Sequence, residues 1–147
     1  MCAADADGCE VYRRNAAAFS ARLDALHAEI NTALTPLKER QVLFTYPFFT
    51  YFLKRYKLQN VALLVEIEGR EPSPRQIKNA LQSIAAAKGK LRAVFTGEQF
   101  SRRPAELLSE SAGLEIITLD PLGGVPGRMG YEELMRYNLK LILKGLQ

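Results

Sequence analysis

Between Gln41 and Asp120 the chain alternates four short apolar runs with stretches of helical pattern, and this alternation sets the fold class. The runs are QVLFTY (41–46), NVALLVEI (60–67), LRAVFT (91–96) and LEIITLD (114–120). Helices are predicted from Pro47 to about Tyr56, from about Ser73 through IKNALQSIAAA, over Pro104–Ser111, and from Tyr131 to about Leu146. Strands that alternate with helices imply right-handed crossovers and a parallel sheet. Runs as continuously apolar as VALLV fit strands covered on both faces. The expected fold is α/β: a long N-terminal helix, then a four-stranded parallel sheet with helices on both faces.

The long helix comes from residues 10–37. Phe19, Leu23, Leu26, Ile30, Leu34 and Leu37 recur at helical spacing, and Pro36 stops the run. Twenty-five helical residues span roughly 37 Å, long for a domain of this size. Part of that helix is expected to lean on something else, a second copy of the chain being one option. Residues 1–9 are expected to be a frayed or disordered terminus, and 38–147 the α/β lobe. A chain of 147 residues suits one adequate core.

In an open parallel sheet, ligands are expected beyond the carboxyl ends of the strands. That rule groups Tyr46, Glu66 to Glu68, Thr96-Gly97-Glu98 and Asp120 on one rim. The sole histidine, His27, lies mid-helix in LDALHAEI and reads as an ordinary helix residue. Without a rim histidine or cysteine, Ser-His-Asp and Cys-His nucleophilic chemistry has no parts. Pro47 and two Phe residues stand where a phosphate-cradling glycine loop would follow the first strand, which argues against a nucleotide enzyme. Carboxylates remain. Asp120 reads either as a strand-end turn former or as a hard oxygen ligand for a cation. Glu66 and Glu68 read as a solvated strand end or as rim groups, and they form no defensible acid–base pair with Asp120.

The segment FTYPFFTYFLKRYKL holds seven of the chain's seven Phe and six Tyr residues taken together, between Phe44 and Tyr56. Pro47 suits a first helical turn, and Phe48, Phe49, Phe52, Leu53 and Tyr56 share one broad face, so packing explains them. Tyr46 is left at the turn, where its side chain can look into the rim. The net charge of +4 is dispersed in small groups such as Arg13-Arg14 and Arg102-Arg103, with no nucleic-acid signature, so no nucleic-acid partner is expected. No segment is apolar enough to span a bilayer. Cys2 and Cys9 make neither a disulfide framework nor a metal spacing; they read as incidental thiols that could pair in an oxidising compartment. No secretion signal is visible, which suits either a cytoplasmic protein or a mature or trimmed piece of an exported one.

Several segments, in order, resemble the second half of one family: the zinc/manganese solute-binding proteins of bacterial ABC transporters, cluster A-I. VYRRNAAAFSARLDALHAEINTAL resembles the helix joining that family's two lobes. YPFFTYFLKRYKL resembles its strand–helix motif, EGREPSPRQIKNALQSI its acidic Pro-Ser-Pro helix start, and AVFTGEQFSRRPAELLSESAGLEIITLDPLGG its third strand, helix and Leu-Asp-Pro-Leu loop. YEELMRYNLKLILKGL resembles its closing helix.

The resemblance implies a binding lobe rather than an enzyme. It implies a periplasmic or extracytoplasmic protein that clamps a zinc or manganese ion with a first lobe and passes it to an ABC permease. By position, the family's second-lobe ligands fall on Tyr46 and Asp120, and a common rim Glu falls on Gly97. Asp120 keeps the family's residue. Tyr46 does not: a phenol with a pKa of about 10 is a poor substitute for imidazole or carboxylate on such an ion. Tyr46 is expected to shape or cap the site, with Glu66, Glu68, Gly97 and Glu98 around it. With one convincing ligand where a tight site needs about four donors, this chain alone should bind metal weakly or not at all. The alternative reading is a single lobe that has lost metal and serves as a protein-interaction or other small-ligand module.

Overall fold

A computed structural model describes residues 1–65, 71–87 and 89–147. They form two compact units, Met1–Pro36 and Leu37–Gln147.

The first unit is α1, Cys9–Leu34. Ahead of it, Cys2 and Cys9 are joined by a disulfide, so the two thiols do not stand as separate groups. Asp5 accepts hydrogen bonds from the Gly8 N–H and the Tyr12 hydroxyl, which ties the leading turn to the first helical turn. At the other end, the Thr35 hydroxyl donates to the Asn31 carbonyl at 2.7 Å. Pro36 follows, and the helix stops where the sequence predicts. Leu26, Ile30 and Leu34 are buried, whereas Phe19 on the same stripe is 42% exposed, with the Arg22 guanidinium over its ring.

The second unit carries β1 (Gln41–Phe44), α2 (Thr50–Arg55), β2 (Gln59–Leu63), α3 (Pro74–Ala86), β3 (Ala93–Gly97), α4 (Arg103–Ala112), β4 (Glu115–Leu119) and α5 (Tyr131–Leu146). The four strands make one parallel sheet in the order β2-β1-β3-β4, as expected. Every residue of β3 is buried, which suits its central place.

Successive strand residues face opposite sides. Val94 packs in a cluster with Leu43, Ala80 of α3, and Ala105 and Leu108 of α4. Its neighbour Phe95 stacks on Phe44, with centroids 4.9 Å apart, and meets α5. The helix comes so close there that a Cβ on Gly145 would lie 2.5 Å from the Phe95 ring and 2.9 Å from Ile117 Cδ1. Helices therefore cover both faces.

Helix starts follow local chemistry. Ser73 and Gln76 form a reciprocal capping box ahead of Pro74. Gly113 ends α4 at φ 67°, a conformation costly for a residue with a Cβ. The aromatic helix predicted from Pro47 begins instead as a 3₁₀ turn over Pro47–Phe49 and becomes α-helical at Thr50. Tyr46 is held extended ahead of the proline, and the Thr50 hydroxyl bonds the Pro47 carbonyl at 2.7 Å, closing a tight three-residue turn.

Candidate metal site at the carboxyl end of the sheet

The parallel register brings the strand ends together. Gly97 lies opposite Leu119, and the Glu98 N–H donates to the Leu119 carbonyl at 2.9 Å. Asp120, next in the chain, is only 1% exposed. Its main chain is held by α5: the Asp120 N–H donates to Asn138 Oδ1 at 2.9 Å, and Asn138 Nδ2 donates to the Asp120 carbonyl at 2.6 Å.

The two carboxylate oxygens of Asp120 do different work. Oδ1 accepts the N–H groups of Leu122 at 3.0 Å and Gly123 at 2.9 Å, with Gln99 Nε2 at 3.4 Å. This is the turn-forming role. Oδ2 faces Arg128 Nη1 at 2.9 Å, and the same nitrogen lies 2.8 Å from Glu98 Oε1. Burial pushes the Asp120 carboxyl up. The N–H groups of Gly123 and Leu122, the Gln99 amide and the Arg128 charge outweigh that and hold its pKa below the ordinary value. The Arg128 pKa is raised, mainly by the Glu98 hydrogen bond.

Arg128 reaches the rim because its loop doubles back. The Gly124 N–H donates to the Arg128 carbonyl and the Arg128 N–H to the Val125 carbonyl. Gly123 stands at φ 68°, and a Cβ there would lie 2.7 Å from the Arg128 carbonyl oxygen. The guanidinium carbon sits 4.3 Å over the centre of the Tyr137 ring.

Tyr46 has a packing role that the sequence leaves unassigned. It is 4% exposed, its ring stacks on Phe100 with centroids 4.5 Å apart and planes at 14°, and its hydroxyl donates to the Ser101 carbonyl at 3.4 Å. Phe48 packs on the same Phe100 ring. Gly97 leaves the space that ring occupies: a Cβ at 97 would lie 2.6 Å from Phe100 Cδ2. A Tyr at 46, a Gly at 97 and a Phe at 100 thus form one packed unit.

The structure joins Glu98 and Asp120 through Arg128, and Tyr46 and Gly97 through the Phe100 ring that packs on both. Glu66 and Glu68 lie outside the described residues. His27 is in α1, in the first unit. Among the described residues, no three His, Cys, Asp or Glu side chains are grouped as a metal would need. A cavity of about 460 Å³ opens on the β1–β2 side, lined by Tyr46, Pro47, Lys54 and Asn60 among others, and it does not include Asp120 or Glu98. Arg128, Gln99, Phe100 and Asn138 are not singled out by the sequence. Arg128 alone leaves a trace there, as the one charged residue in the loop 121–130.

Comparison with known proteins resolves the family. The sequence profile of the periplasmic zinc-uptake complex component A family, ZnuA, matches residues 1–145. The chain belongs to this family. It is 28% identical over 153 aligned positions to the iron ABC transporter substrate-binding lipoprotein MtsA of Streptococcus pyogenes serotype M1, covering 99% of this chain and 48% of that protein. It is 27% identical to the iron-binding protein YfeA of Yersinia pestis over 92% of this chain and 45% of that one. Among solved structures, a ZnuA crystal structure superposes with a TM-score of 0.82 at 30% identity, over 99% of this chain and 52% of that one. The chain thus spans about half the length of the family members it matches, and the matched fold is the α/β lobe expected from the sequence.

No described helix is long and apolar enough to cross a membrane.

Proposed function

We propose that this chain is the C-terminal lobe of a metal-uptake binding protein that presents Asp120 to a divalent cation, zinc or manganese, for delivery to an ABC permease. A first lobe would supply the remaining donors. The observation that carries this reading is a buried carboxylate at the carboxyl end of β4, its main chain clamped and one oxygen held by backbone N–H groups. Such a carboxylate presents its second oxygen at a set place, which suits a hard-cation ligand. The role is binding, without catalysis. The names of the relatives, and a Cys2–Cys9 disulfide of the kind that persists in oxidising compartments, support an extracytoplasmic location.

Calorimetric titration with Zn²⁺ and Mn²⁺ tests the reading. Weak saturable binding is expected, lost in Asp120→Ala. Heat that is absent, or unchanged by that substitution, refutes the metal role of Asp120.

A second reading is favoured by the Tyr46–Phe100 stack. It fills the first-strand ligand position with packed aromatic rings, as a lobe that had exchanged metal for a protein or other small-molecule partner would. Stoichiometric zinc or manganese retained through purification counts against this reading.

A further inference from the structure

One guanidinium nitrogen sits between two rim carboxylates. Arg128 Nη1 touches Asp120 Oδ2 at 2.9 Å and Glu98 Oε1 at 2.8 Å, so a cation in its place would meet both carboxylates. The arrangement is built: Asp120 is buried and oriented, the loop folds back through Gly123, and the Tyr137 ring backs the guanidinium. The Arg128 side chain is 17% exposed, in contrast to 56% for the surface ion-pair residue Arg102. Exposed ion pairs contribute little and exchange freely with water. A largely enclosed guanidinium shared by two carboxylates is held more firmly.

We propose that Arg128 is an internal counter-cation that competes with a divalent ion for the Asp120–Glu98 carboxylate pair. Metal entry at this rim is then an exchange of one cation for another, and Arg128 sets its affinity. The inference rests on the reading of Asp120 as a ligand and adds that the chain carries its own competitor for that ligand. A divalent ion must displace the guanidinium from Oδ2, and the freed Arg128 must turn to solvent. Monovalent and weakly bound cations fail to displace it, so the rim favours ions that hold carboxylates strongly.

The test is calorimetric titration of the 147-residue chain with Mn²⁺ and, separately, Zn²⁺, with folding of each variant checked by thermal unfolding. Arg128→Gln removes the competitor and is expected to bind about tenfold tighter or better than wild type, the scale of a lost charge-assisted pair. Arg128→Lys keeps the charge and should stay near wild type. Arg102→Gln removes an equal charge elsewhere and should change nothing. Should Arg128→Gln fail to fold, Arg128→Met, which keeps an apolar stem on Tyr137, takes its place. The gain must vanish in the Arg128→Gln/Asp120→Asn double variant. Affinity unchanged or weaker in Arg128→Gln overturns the inference, while loss of wild-type binding in Asp120→Asn would leave the ligand reading standing. A gain that survives in the double variant places the ion elsewhere and overturns both, as does the absence of binding by every variant.

Discussion

The side-chain amide of Asn138 holds the peptide of Asp120 by both its N–H and its C=O, at 2.9 and 2.6 Å. This pair joins α5 to the end of β4 where the sheet meets its rim. Asn138 is 1% exposed, so water cannot replace either bond without entering the core. Asn is uncommon in a buried helix face, and here its two-sided amide is the reason for its presence.

Asn138→Leu should therefore cost more than its volume suggests. It leaves a buried donor and a buried acceptor of Asp120 unmet, for a loss of about 2–4 kcal/mol. Urea unfolding followed by circular dichroism measures it. A loss below about 0.5 kcal/mol, the usual range of a surface change, would show that the clamp contributes nothing.

Gly145→Ala sets two effects of opposite sign against each other. Alanine in a helix is ordinarily favoured over glycine by roughly 1 kcal/mol. Here the added methyl would press on Phe95 and Ile117 at 2.5 and 2.9 Å, and overpacking of a core costs about 1–3 kcal/mol. Net destabilisation is expected, read as a lower urea midpoint. A rise in that midpoint would mean that α5 can move off the sheet.

Gly97→Glu should destabilise the lobe by about 1–3 kcal/mol, because its Cβ collides with the Phe100 ring. Phe100→Ser in the same chain should recover part of the loss, since the two sites share one volume. Strictly additive effects in the double-mutant cycle would show that Gly97 and Phe100 do not constrain each other.

Acid should find the Asp120 network. Its folded pKa lies below the ordinary value, so as pH falls the unfolded chain takes up this proton before the folded one. The contribution is complete above the unfolded carboxyl pKa of about 3.9 and is lost as pH drops through the lower folded value. Wild type should exceed Asp120→Asn in stability at neutral pH, with the gap narrowing below about pH 4. Denaturant unfolding of both proteins between pH 7 and pH 3 checks this; a gap constant across that range would assign the stabilisation to something other than the charge.

The fold class was legible in the residues because it depends on local pattern. Apolar runs of strand length, helical periodicity, Pro47, the Ser73 cap and Pro36 each act within a few residues of themselves. The limits of β2 and the 3₁₀ start at Pro47 escaped that reading, because they depend on which backbone groups find partners in the folded chain. Asp120 was also legible, as an acid at a strand end before Pro121 and a glycine-rich loop.

What surrounds Asp120 was not. Tyr46 read as a residue facing the rim, yet it is packed under Phe100, fifty-four positions later in the chain. Arg128 was not singled out by the sequence, yet it is the cation between Glu98 and Asp120. Alternating periods in the sequence determined a parallel α/β lobe and put an acid at its rim. Only the tertiary structure decided that this acid already has a cation beside it. Ion pairs and ring stacks join residues far apart in sequence, and their geometry exists only once the sheet has brought the strand ends together.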